Sequence, residues 1–125
     1  MSDQIRIGQV SKVDYGKGMI RVLYTDRDSS VTDILPVVNF NGEYKMPAVG
    51  DYVLVAHLSN DTSAGFVLGP YWNESNTPPE SGKGVYYKEI AGDAHLEYKD
   101  GTLNIVAPTV NIVAPTVNIN GTPIG

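Results

Sequence analysis

The chain has 125 residues, of which 42% are hydrophobic and 18% charged, a balance that excludes disorder, while 13 Gly and 8 Pro leave little room for long helices. Nine basic side chains against fourteen acidic ones give a net charge of -5, and no Lys or Arg has a basic neighbour, so phosphate backbones and anionic lipid are repelled and nucleic acid is not an expected partner. Cysteine is absent, which excludes disulfides and thiolate metal sites. The start MSDQIRIG lacks the charged and apolar regions of a signal peptide, and no apolar run approaches membrane-spanning length, so synthesis in the cytoplasm is expected.

In chain order, residues 5 to 71 predict five short strands at the spacing of a small barrel. IRIGQVSKVD and MIRVLYT flank Tyr15-Gly16-Lys17-Gly18, whose glycines accommodate positive φ, and so predict a long hairpin. ILPVV is a third strand in which Pro36, lacking an N–H, marks an edge or a bulge. Gly50-Asp51 turns the chain into YVLVAHL, a near-continuous apolar run expected to be covered on both sides, and AGFVLGPYW is the fifth strand. The intervening NFNGEYKMPAVG is too short and too rich in Gly and Pro for a helix. Five strands opening on a long hairpin have the size of an OB-fold barrel, assigned to residues 1–72.

Residues 73–84, NESNTPPESGKG, contain no large apolar side chain and predict an exposed linker. Beyond it Ala94, Leu96 and Tyr98 alternate with His95, Glu97 and Lys99 in a strand pattern that closes at Asp100-Gly101. NIVAPTV then occurs twice without change, at 104–110 and 111–117, and Asn118-Ile119 begins a third copy that Asn120-Gly121 interrupts. A heptad suggests a coiled coil, but Pro108 and Pro115 would each cost a helix about 3 kcal/mol, and β-branched residues fill most of the repeat. As strands with a Pro-Thr bend, the repeats put Leu103, Ile105, Val110, Ile112, Val117 and Ile119 on one face and Asn104, Asn111 and Asn118 on the other. One chain has too few strands to cover that apolar face. Three copies winding about a common axis give a prism in which backbone groups pair between chains and the apolar faces meet at the centre, so residues 85–125 are expected to form a homotrimeric, intertwined triple-stranded β-helix. Asn120, Gly121, Thr122, Pro123, Ile124 and Gly125 would form its apex.

The order of short barrel, Pro-rich linker and β-repeat tail resembles the phage baseplate assembly protein V family, the central spikes of contractile tails and R-type bacteriocins. The resemblance is carried by Ile7-Gly8-Gln9-Val10 with Val13-Asp14, Ile34-Leu35-Pro36-Val37, Val49-Gly50-Asp51 with Val53-Leu54-Val55, and Gly65-Phe66-Val67-Leu68-Gly69. It implies an OB-fold base docked on the tail hub of a phage or phage-tail-like particle, and a trimeric needle that pierces the target cell envelope. Some family spikes end in a His-x-His apex that binds iron; here no histidine follows His95, which implies either a metal-free apex or a separate cap protein. Some larger relatives carry a muramidase between barrel and needle, for which residues 73–84 leave no space.

Motifs for catalysis are absent. His57 lies in an apolar run and His95 on a polar strand face, with no HExxH or GxSxG pattern, so both read as structural or solvated. Asp26, Asp28 and Asp33 resemble a calcium loop but lack its sixth-position Gly and twelfth-position Glu, which makes a solvated turn the better reading. Lys17 and Lys83 sit between glycines outside any phosphate-loop pattern and read as turns. Tyr71, Trp72, Tyr86 and Tyr87 flank the linker; packing is preferred over stacking on a ligand. No cofactor and no metal are expected. The competing function is a carbohydrate- or protein-binding OB-fold module that the tail merely trimerises.

Overall fold

A computed structural model of the chain describes residues 4–25, 29–58 and 63–120. The fold is all-β, with no helix among the described residues, and the chain divides into two compact units, Met1–Thr77 and Pro78–Gly125. The division falls inside the expected linker, and its first half belongs to the first unit: Asn73 and Asn76 exchange backbone hydrogen bonds of 3.0 and 3.1 Å, closing a tight turn there.

In the first unit β1 (Ile5–Asp14) and β2 (Met19–Leu23) form the antiparallel hairpin expected from the sequence, joined through Tyr15–Gly18. Gly18 takes φ 66°, and the Lys17 N–H donates to Asp14 Oδ1 at 3.2 Å, so Lys17 is a turn residue. The register slips between Val10 and Lys12, a bulge that bends β1 so its first half pairs with β4 (Tyr52–His57) and its second half with β2. β3 (Leu35–Pro36) pairs with the outer side of β2, and β5 (Gly65–Pro70) with β4. The sheet order β3-β2-β1-β4-β5 curls until its ends meet, where Val37 bridges Val67 in parallel sense and the Val38 N–H donates to the Val67 carbonyl at 2.9 Å. The result is a nearly closed barrel. Pro36 sits where no ladder needs its missing N–H, in the short β3 segment beside that closure.

Strand alternation fills the interior with Val10, Ile20, Val22, Tyr24, Leu35, Val53, Val55 and Val67, all buried, while Val13, Val37 and Met46 pack against them. Each such aliphatic side chain contributes about 1.5–3 kcal/mol when removed from water, so this unit holds a core of its own. Tyr24 fits only because its neighbour is a glycine: a Cβ on Gly8 would lie 2.7 Å from the Tyr24 ring and closer still to Val22 Cγ1. β4 differs from the expectation. Only Val53, Val55 and His57 are buried, whereas Leu54 and Ala56 alternate away from the barrel interior and stay partly exposed.

The second unit is a three-stranded antiparallel meander, β6 (Tyr86–Ala91), β7 (Ala94–Lys99) and β8 (Thr102–Val106). The β7 pattern and its Asp100-Gly101 turn are as the sequence predicts, both turn residues taking positive φ at 51° and 81°. β6 was not expected as a strand, although the Gly92-Asp93 turn between it and β7 is a legible hairpin signal. Residues 107–120 form no strand within the single chain; the Pro-containing repeats have no neighbouring edge there with which to pair.

Candidate functional site

The ladder registers of the second unit sort its side chains cleanly. Leu96 stands opposite Ile105 and Lys88, and Tyr98 opposite Leu103 and Tyr86, so these share one face, apolar apart from Lys88. Glu97 stands opposite Asn104 and Tyr87, and His95 opposite Glu89 and Val106, which makes the reverse face largely polar. On the polar face Asn104 Nδ2 donates to Glu97 Oε1 at 3.3 Å, and the Tyr87 and His95 rings stack with centroids 4.9 Å apart. Leu103 and Ile105 therefore lie on one side of β8 and Asn104 on the other.

What sets this region apart is exposure. No residue from 78 to 120 is buried in the single chain. Leu103, Ile105, Val110, Ile112, Val117 and Ile119 are all exposed, Ile112 at 66%, and Val113 reaches 96%. Scattered exposed apolar side chains are ordinary, but here they recur through seventeen residues, from Leu103 to Ile119. Asn120 is likewise exposed; Gly121, Thr122, Pro123, Ile124 and Gly125 lie outside the described residues.

Side chains with chemical potential elsewhere serve structure. His57 is 7% exposed and holds two hydrogen bonds. Its Nδ1 lies 3.1 Å from the Ala64 carbonyl, which only accepts, so Nδ1 carries the hydrogen; Nε2 then accepts from the Tyr24 hydroxyl at 2.5 Å. Arg6 lies over the Tyr24 ring, its guanidinium carbon 3.8 Å from the ring centroid. No group of three or more His, Cys, Asp or Glu able to hold a metal occurs among the described residues. Asp33 is exposed, while Asp26 and Asp28 lie outside the described residues. Lys83 lies in a turn in which the Val85 N–H donates to the Gly82 carbonyl at 3.3 Å. Trp72 and Tyr86 are exposed and Tyr71 and Tyr87 half-buried.

At the hairpin end of the barrel an open groove of about 320 Å³ runs between Gly16–Gly18, Val37–Asn39 and Gly42–Met46, with the Tyr44 hydroxyl donating to the Tyr15 carbonyl at 2.8 Å. Its charged lining residues, Lys17, Glu43 and Lys45, are all exposed. No helix among the described residues is long and apolar enough to cross a membrane. No protein-family model matches the chain, and none of the curated proteins compared with it does so.

Proposed function

We propose that the protein is the central spike of a contractile phage-tail-like particle: a homotrimer whose OB-fold barrels dock on the tail hub and whose tails intertwine into a triple-stranded β-helical needle that pierces the target envelope by mechanical force alone. The observation that carries this reading is the repeat, in which every large aliphatic side chain from Leu103 to Ile119 is left in water by the single chain. Such a segment becomes stable only when other strands close over it, and three chains are the smallest number that can enclose a core with strands this short.

The barrel supports the same reading. Followed around its wall, the order β1-β2-β3-β5-β4 with a parallel β3–β5 closure is consistent with an OB-fold. In the needle, interchain ladders would load all three chains together as it advances. The work comes from contraction of the sheath, so the spike itself needs rigidity and a narrow point but no catalytic group. Net charge of -5 per chain keeps the trimer soluble and away from nucleic acid.

Immunogold electron microscopy of the source particle tests the assignment. Label confined to the tail tip is the expected result; label elsewhere, or protein found only free of particles, overturns it and favours the trimeric binding module.

A further inference from the structure

The outward positions of β1, β4 and β5 form a second apolar surface, distinct from the repeat. Ile5 stands opposite Ala56, Ile7 opposite Leu54, and Ala56 opposite Phe66, with Leu68 two residues further along β5. Ile7 is 52% and Phe66 44% exposed, and no outward position over Ile5–Gln9, Tyr52–Ala56 and Phe66–Pro70 holds a charged side chain. The neighbouring wall is the opposite: where β1 pairs with β2, Lys12 stands beside Arg21. A continuous uncharged row across three hydrogen-bonded strands is the kind of patch that soluble chains keep covered.

We infer that this wall is covered by the barrel of a second copy of the chain, the Ile5–Ile7 side of one barrel against the Phe66–Leu68 side of the next, with Leu54 and Ala56 nearest the three-fold axis. The inference rests on the trimeric reading above. Two features select a second copy. Identical chains of net charge -5 repel one another on approach, and this wall, with no charged side chain at its outward positions, places no like-charge pair in the contact. Chains joined through their tails also hold their barrels at an effective concentration in the millimolar range, so a contact too weak to form between free barrels becomes populated. The two sides of the wall differ, branched aliphatics on β1 and longer Phe and Leu on β5, which suits a head-to-tail contact that closes after three copies rather than a two-fold one.

The absence of native cysteine makes the contact directly testable. In one barrel Phe66 stands in line with Ile5 across Ala56, so Ile7 and Phe66 are two strand spacings apart and also offset along the strands, more than about 9–10 Å, beyond disulfide reach. In the Ile7→Cys/Phe66→Cys full-length chain, mild oxidation is expected to give covalent dimers and trimers on a non-reducing gel, roughly tenfold more than in either single variant. The pair Ile5→Cys/Leu68→Cys should behave alike and guards against a local effect of one substitution. Double variants that scatter light as trimers yet run as single chains overturn the inference and leave the trimer standing. Single variants that cross-link as efficiently as the doubles overturn the head-to-tail arrangement. A parent chain that scatters as a monomer overturns the trimeric reading and this inference with it.

Discussion

The two units solve the same problem, burying one face of a sheet, in opposite ways. The barrel curls five strands until β3 meets β5 and encloses eight apolar side chains, whereas the meander and its repeats remain open, with no buried residue from 78 to 120. The difference lies in the chain itself. A bulge after Val10 lets one long strand serve two neighbours and so close a wall, while Pro108 and Pro115 interrupt the tail every seven residues and allow no sheet wide enough to curl. On the proposed trimeric reading, stability that is internal to one region comes from association in the other.

The largest effect is expected where the tail depends on its partners. Ile112→Asp would remove about 2–3 kcal/mol of apolar burial from each chain and crowd three carboxylates about a dry axis, so the trimer should dissociate. Asn111→Asp, one residue earlier and on the opposite face, should cost under about 0.5 kcal/mol per chain. Size exclusion or SDS resistance of the two variants compares them directly; dissociation by Asn111→Asp with Ile112→Asp intact would reverse the facing.

In the barrel the same kind of test should leave association untouched. Gly8→Ala drives a methyl group into the Tyr24 ring and Val22, an overpacking that costs about 1–3 kcal/mol, and should lower the barrel's melting temperature without releasing the tails. Tyr24→Phe leaves His57 Nε2 buried without its donor, at a cost of about 1–3 kcal/mol. Its denaturation midpoint should fall while light scattering stays that of the parent. If either variant dissociated the protein at temperatures where the barrel remained folded, the two units would not be energetically separate. Within the barrel the smallest effect is expected at the hairpin turn, where Gly18→Ala places a Cβ at φ 66° for about 1–2 kcal/mol and should lower the melting temperature less than Gly8→Ala does. A shift larger than that of Gly8→Ala would contradict this ranking.

Local signals carried most of the barrel into view before any coordinates. Gly18 after Lys17, the proline in β3, the Gly50 turn and the alternation of β7 each describe their own neighbourhood and stand as read, whereas Gly16 does not take the positive φ expected of it. What stayed hidden was non-local. The parallel closure joins Val37 to Val67, and the buried hydrogen bond joins Tyr24 to His57, partners that no short window of sequence connects. The run YVLVAHL reads as doubly covered because apolar residues occupy both faces of β4, but only the face carrying Val53, Val55 and His57 is buried. β6 escaped because Lys88 and Glu89 interrupt its alternation, and its face becomes clear only from pairing with β7. For the repeat, the segregation of Leu103 and Ile105 from Asn104 follows from strand parity, and the β7–β8 register places them accordingly.

The central claim is that the tail is incomplete in one chain and complete in three. Multi-angle light scattering of the intact protein after size exclusion tests it most directly: a single species of about 40 kDa, three times the 13.5 kDa of the chain, is expected across a range of concentrations. A stable 13.5 kDa monomer at micromolar concentration would contradict it.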